Sequence, residues 1–244
     1  MAIRFDGGSS TQLTRTTNLP SATAHTFLTW AYPVTIPGAG VLASAVCIGP
    51  APISGLFYAI GVGNTNRVGI YNANNGALNA TGATVVSTNT WYHLAQTVAG
   101  TGTNQMIGYL NGVQELTTTS AGTVTASTLY AGNSAGGDPF NGRMAAIKIY
   151  GAVLTADEIR LEMRSYLPVR FANLLSWHPM LTHTDTAQYG TAWTAAGTLT
   201  TEQGPPIAWS LRTPSTARAF AVAAAAGLPM SPMVRLQAVP RAVL

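Results

Sequence analysis

The amino-acid sequence predicts an all-β sandwich or jelly roll with one short helix and an extended C-terminal arm. Two observations carry the β assignment. Short runs of alternating or wholly apolar β-formers recur between clusters of Gly, Asn, Pro and Ser, a spacing that suits a sandwich. One pair, Asn111-Gly112, lies between two such runs and reads as a tight hairpin, because Asn and Gly tolerate the positive φ values of a type I′ turn. A third observation places the helix: Thr155-Ala156-Asp157-Glu158 has the pattern of a capping box.

In chain order the β-like runs are MAIRF, TFLTWAYPV, GVLASAVCIG, GLFYAIGVG, RVGIYNA, TVVS, TWYHLAQTV, QMIGYLNGV, STLYAG and RMAAIKIYG. Within TWYHLAQTV the period of two puts Trp91, His93, Ala95 and Thr97 on one face and Tyr92, Leu94, Gln96 and Val98 on the other. His93 alternates with core positions and reads as a hydrogen-bonded structural histidine. In the helix over 155–164, the Thr155 hydroxyl accepts from the Glu158 amide while Glu158 reaches back to the Thr155 amide. Asp157 and Glu158 sit at the positive end of the helix dipole, with Arg160 and Arg164 towards the other end. Ile159 and Met163 share the face that packs on a sheet. Glu158 and Glu162, four apart, are explained by capping and solvent exposure.

Hydrophobic residues make up 47% of the 244-residue chain and charged residues 8%, against about 25% charged in an average soluble domain. The surface is therefore polar through Thr, Gly, Asn and Ser rather than through charge. Lys148 is the sole lysine among twelve basic residues. Eight acidic and eight basic residues precede position 203, so the net charge of +4 resides in Arg212, Arg218, Arg235 and Arg241. The basicity belongs to the tail, and the main domain lacks the basic face with stacking aromatics that nucleic-acid binding needs. Cys47, the single cysteine, lies in the apolar run VLASAVCIG and reads as a buried small hydrophobe. MAIRFDGG has no charged-then-apolar signal pattern, and AFAVAAAAGLPM at 219–230 is too short for a membrane span. The expectation is a soluble protein made in the cytoplasm without a signal peptide.

An ordered set of short motifs resembles a known family. Phe5-Asp6-Gly7, Phe27-Leu28-Thr29-Trp30, Trp91-Tyr92-His93-Leu94-Ala95, Tyr109-Leu110-Asn111-Gly112, Phe140-Asn141-Gly142, Ile147 to Tyr150 and Leu154 to Ile159 follow one another over roughly residues 1–167. In that order they resemble a laminin G-like domain of the concanavalin A-like lectin/glucanase superfamily. The resemblance implies a two-sheet antiparallel jelly roll of about a dozen strands. Phe140-Asn141-Gly142 would introduce one of the last strands and the helix would seal an edge. The chain departs from the family in starting almost at Phe5-Asp6-Gly7. A segment similar to the missing front, Leu174-Leu175-Ser176-Trp177-His178-Pro179 followed by Asp185, Gly190 and Gly204-Pro205-Pro206, stands after the helix instead. The expected organisation is a jelly roll over 1–204, with 171–204 returning to complete the sheet as in a circular permutation, and an arm over 205–244. The alternative is a short appended hairpin.

The superfamily includes glycoside hydrolases, which use two carboxylates flanking the scissile bond. No Glu-x-Asp-x-Glu string exists here, nor a nucleophile elbow or phosphate loop, and the expectation is a protein that is not an enzyme, with no catalytic residue. Asp6 reads as a turn residue. Asp138 reads as a turn former before Pro139 or as one ligand of a loop calcium site of the kind some laminin G-like domains carry; calcium wants six to eight oxygens, and no other cofactor is expected. His25, His93, His178 and His183 do not have zinc-site spacing. The loops at 64–66, 72–75 and 133–138 are rich in Asn, Thr and Gly, which make turns and also hydrogen-bond to sugar hydroxyls; Asn74, Asn133 and Asp138 are the ligand-binding candidates.

Residues 205–244 contain six of the fourteen prolines with Ala, Arg and scattered Val, Leu and Met. Ordering some forty residues costs backbone entropy that contacts must offset, and an arm this poor in secondary structure finds them on a neighbour. Trp209, Arg212, Arg218, Phe220, Arg235 and Arg241 are the candidate assembly residues. Together the arm, the weakly charged surface and the lectin-like jelly roll look similar to capsid decoration or fibre-associated proteins of tailed bacteriophages. That similarity implies a non-enzymatic virion component, assembled with itself or with other subunits of a symmetric particle such as a capsid. A free carbohydrate-binding module and a glycoside hydrolase relative are the alternatives, with a surface glycan as a further partner.

Overall fold

Two antiparallel sheets face each other across an apolar core, the sandwich that the sequence predicts. The structure, a computed structural model, describes residues 1–16, 24–37, 41–49, 57–63, 66–73, 78–120, 128–134, 137–181 and 192–207. These fall within Met1–Ser210, one of two units into which the chain divides. The larger sheet runs β10 (Val113–Ser120), β9 (Gly102–Leu110), β8 (Tyr92–Val98), β3 (His25–Pro33), β12 (Asn141–Tyr150), β1 (Ala2–Asp6) and β15 (Leu199–Glu202), with β13 (Leu174–His178) also paired to β12. The smaller runs β14 (Thr194–Ala196), β2 (Gln12–Arg15), β11 (Thr128–Ala131), β4 (Leu42–Gly49), β5 (Phe57–Gly63), β6 (Arg67–Ala73) and β7 (Leu78–Val85).

Strand β12 is the hub of the larger sheet. Its one side pairs with β3 from Gly142↔Pro33 to Tyr150↔Thr26. Its other side is shared end to end. Strand β1 pairs from Asp6↔Asn141 to Ile3↔Met144, and β13 takes over from Ile147↔His178 to Tyr150↔Leu174. Between the two, Ala146 adopts a left-handed φ of 52°, a conformation disfavoured for residues with a Cβ. After the helix the chain thus enters both sheets, through β13 and β15 in the larger and β14 in the smaller.

The period-two alternation sorts side chains between faces. Phe27, Ala31, Leu94, Val98, Ile3, Phe5 and Met144 from the larger sheet meet Val46, Ile48, Ile60, Val62, Val68 and Ile70 from the smaller. On the opposite, outer face of the larger sheet, Leu28, Ala95, Tyr109 and Tyr150 form a second cluster with Leu154 and Ile159. The faces expected for β8 are those found, with Leu94 inward and Ala95 outward. The hairpin is also as expected: Asn111 and Gly112 have φ of 51° and 76°, and Leu110 pairs with Val113.

Helix α1 (Ala156–Glu162) starts on the expected capping box: the Glu158 amide donates to Thr155 Oγ1 at 3.2 Å and the Thr155 amide to Glu158 Oε2 at 2.8 Å. It ends two residues before the expected 164. It also lies on the outer face of the larger sheet, through Ile159, rather than sealing an edge. Glu162 overturns the expectation of solvent exposure, since its side chain is 1% exposed and pairs with Lys148, also 1% exposed, at 2.6 Å.

That pair anchors a network. Lys148 projects from β12 and its ammonium faces the carbonyl oxygens of Glu162 (2.9 Å), Ser165 (2.7 Å) and Leu167 (3.1 Å) as well as the carboxylate. It therefore acts as a cation at the C-terminal end of the helix, where the dipole is negative. The other carboxylate oxygen accepts from Tyr150 Oη at 2.5 Å and from the Val169 amide at 2.8 Å. Burial pulls the Lys148 ammonium below its ordinary pKa, opposed by the adjacent Glu162 carboxylate.

Removing one partner of a buried pair strands the other charge, so Lys148→Met and Glu162→Gln are each expected to lower stability by about 3–5 kcal/mol in urea titration. The double variant Lys148→Met/Glu162→Leu should lie within about 2 kcal/mol of the parent chain, because no charge is left buried.

Candidate functional site

Beside the helix, the outer face of the larger sheet stays open. Register builds a row of side chains there: Tyr32 of β3 is opposite Arg143 of β12, which is opposite Arg4 of β1. Such cross-strand neighbours interact directly. The Arg143 guanidinium stacks on the Tyr32 ring at 3.6 Å from its centroid and lies 5.8 Å from that of Trp91. The two aromatic rings are 5.3 Å apart and tilted by 55°. Next to Arg143, Gly142 leaves room for the β3 backbone and for Phe140, since a Cβ at that position would fall 2.3 Å from the Tyr32 carbonyl oxygen and 2.6 Å from the Phe140 ring.

Glu202, at the end of edge strand β15, supplies the carboxylate. Its oxygens lie 3.4 Å from Arg143 Nε and 3.9 Å from Arg4 Nε. Arg143 Nη1 also donates to the Gln203 carbonyl at 3.4 Å. Arg4 is fixed by donating to Asn141 Oδ1 at 2.6 Å and to the Gly142 carbonyl at 3.2 Å. Tyr166, reached from the helix, closes one wall; its hydroxyl donates to the Met1 carbonyl at 3.1 Å, and burial pushes its pKa up to about 12. Tyr32, Trp91, Arg143, Tyr166 and Glu202, with Met1 and residues 203–207, line an open pocket of about 740 Å³. That volume is within the range of small-molecule sites.

Behind the pocket, Trp30 donates its indole N–H to the Met163 carbonyl at 3.1 Å and meets the His93 ring edge-on at 5.5 Å. His93 is buried as expected, and of its two ring nitrogens Nδ1 has no hydrogen-bond partner. Burial, reinforced by the Lys148 charge, lowers its pKa from 6.5 to about 3.

Of the loop residues expected to bind ligand, Asn133 and Asp138 lie outside this pocket. Asn133 is fully buried: its amide donates to the Ser9 carbonyl at 2.8 Å and its Oδ1 accepts from the Ser134 amide at 2.7 Å. That side chain builds its own loop. Asp138 accepts from Ser134 Oγ at 2.6 Å, and burial raises its pKa despite that hydrogen bond. Asp138 belongs to no cluster of three His, Cys, Asp or Glu among the described residues, and a lone carboxyl does not fit a cation that takes six to eight oxygens. Asp6 makes the expected turn, accepting from the Gly8 amide at 2.7 Å and Thr11 Oγ1 at 2.5 Å. Asn74 and the arm residues Trp209, Arg212, Arg218, Phe220, Arg235 and Arg241 lie outside the described residues. Among the described residues no helix is long and apolar enough to cross a membrane.

The Laminin_G_3 model, of the concanavalin A-like lectin/glucanases superfamily, matches residues 5–160. The chain belongs to that family. No curated protein sequence matches it. Among solved structures, this laminin G-like domain is similar to the native heptameric SAP-like pentraxin of Limulus polyphemus, with a TM-score of 0.59 and 16% identity over 82% of this chain and 93% of that one. It is also similar to the "putative carbohydrate binding protein" of Bacteroides ovatus ATCC 8483, with a TM-score of 0.56 and 14% identity over 84% of this chain and 60% of that one. At these identities the likeness is one of fold.

Unfolded, His93 takes up a proton near its ordinary pKa of 6.5; in this laminin G-like fold it does so only near 3. The stability gained by keeping the ring neutral is therefore complete above the unfolded pKa and is lost as pH falls towards the folded one. Asp6, held low by Thr11, and Glu158, held low by the Thr155 amide, act only at the acid end of that window. Equilibrium unfolding of the parent chain between pH 6.5 and 4.5 should be steeper than that of His93→Leu by about 1.4 kcal/mol per pH unit.

Proposed function

We propose that the chain is a non-catalytic, lectin-like saccharide-binding domain and that the pocket at Tyr32, Trp91, Arg143, Tyr166 and Glu202 is its binding site. The observation that carries this reading is the pairing of two adjacent aromatic rings with a guanidinium and a carboxylate at the mouth of an open pocket. An aromatic face takes the apolar C–H side of a pyranose, while Arg and Glu donate to and accept from its hydroxyls, the usual division of a ligand site into apolar walls and a few placed polar groups. Support for a non-catalytic role comes from the lining residues, which include one carboxylate, Glu202, where glycoside hydrolysis normally uses two. The lectin/glucanase superfamily and the name of the Bacteroides ovatus neighbour agree with saccharide binding.

Assembly in a virion, as capsid decoration or a fibre-associated subunit, is the second reading. It is supported by the sequence of the arm, whose four arginines, scattered apolar residues and prolines suit docking on a neighbour. The two readings are compatible, since a displayed domain can bind a surface glycan.

Trp91→Ala should weaken retention on any saccharide that the chain binds by about 2 kcal/mol, close to thirtyfold, in affinity electrophoresis, with little change in Tm. Equal retention of the variant would remove the pocket from the reading. For the arm, light scattering of the full chain and of a variant ending at Ile207 should give a defined oligomer and a folded monomer respectively; two monomers would defeat self-assembly through the arm.

A further inference from the structure

We infer that the ligand of this pocket is an acidic saccharide, one whose ring carries a carboxylate, and that Glu202 is the internal carboxylate which the ligand displaces from Arg143. The inference rests on the saccharide-binding reading and names the ligand class of that same site.

Charge is the first observation. Arg143 and Glu202 line the pocket, and Arg4 lies behind them at 3.9 Å from the same carboxylate, so two guanidiniums share one acid at this wall. A cleft with a net charge of one sign concentrates ligands of the other.

The fit of Glu202 is the second. Its separations of 3.4 Å from Arg143 Nε and 3.9 Å from Arg4 Nε exceed the roughly 2.7–2.9 Å of a charge-assisted N–H···O bond. Arg143 Nε is buried and, although near Glu202, is not aligned with any acceptor. A buried donor left unsatisfied is costly, so a carboxylate able to align with it binds at a position the protein's own acid fills imperfectly. Glu202 remains 41% exposed and ends a four-residue edge strand, which lets it give way to solvent.

The third observation is that Arg143 is set in place before any ligand arrives. Stacking on Tyr32 and the bond to the Gln203 carbonyl fix the plane of the guanidinium fork, and a preset fork recognises planar carboxylates bidentately. With the carboxylate on Arg143, the sugar ring lies against Trp91. A neutral saccharide would leave the Arg143 and Glu202 pair intact and use Glu202 as an acceptor. The two ligand classes therefore predict opposite effects of removing the Glu202 charge.

The test applies the full chain to an array of uronate-containing, sialylated, sulfated and neutral oligosaccharides, then measures affinity for the best ligand by calorimetry. Retention should be confined to carboxylated glycans. Glu202→Gln should tighten that binding by about three- to tenfold, and Arg143→Gln should weaken it by about tenfold or more. Methyl esterification of the ligand carboxylate should reproduce the Arg143→Gln loss with the protein unaltered. Retention of neutral or sulfated glycans alone, or weaker binding by Glu202→Gln, overturns the acidic ligand while the saccharide-binding reading stands. Retention of no glycan overturns both.

Discussion

The buried contact between Lys148 and Glu162 fixes the end of the helix and the turn after it on the outer face of the larger sheet. A buried ion pair adds little net stability over an apolar pair of similar size, because desolvation offsets most of the Coulomb attraction. Its contribution here is directional. The ammonium grips the carbonyls of residues 162, 165 and 167, so the end of the helix and the turn after it are held against β12. Tyr166 sits within that turn and forms a wall of the pocket. That wall of the pocket is thus positioned from beneath by a charge that does not line the pocket.

The same lysine affects its neighbours electrostatically. His93 stays neutral because it is buried and because a positive charge lies close by. A proton on its ring would face the ammonium without a carboxylate partner of its own. One side of the sheet therefore has two regimes a few residues apart: a closed region where charges are matched and dry, and an open region where Arg4, Arg143 and Glu202 remain partly hydrated.

What the sequence disclosed and what it concealed follow from range. The capping box and the Asn111-Gly112 hairpin were legible because their chemistry is complete within four residues. The β8 alternation was legible because the period of two acts locally. Strand β2 was not, since Gln12-Leu13-Thr14-Arg15 is short and polar and gains its place by pairing with β11 and β14. Glu162 was misread because its spacing from Glu158 fits an exposed helix face, and nothing nearby reveals that Lys148 reaches it from another element. The pocket was illegible for the same reason. Tyr32, Trp91, Arg143, Tyr166 and Glu202 span most of the domain, form no motif, and meet through sheet register. The loop candidates were drawn from composition, and at Asn133 the structure uses that composition to build the turn itself.

The division of β12 between β1 and β13 also fixes the order in which the chain can become a domain. Residues 2–6 leave the ribosome well before either of their partners, β12 at 141–150 and β15 at 199–202. At typical synthesis rates that interval is on the order of ten seconds, during which β3 lacks its central neighbour and β1 has nothing to pair with. Unpaired strand edges of this kind are adhesive. The low charge of the chain supplies little repulsion meanwhile, so during its synthesis this protein depends on the rest of itself arriving before another chain does.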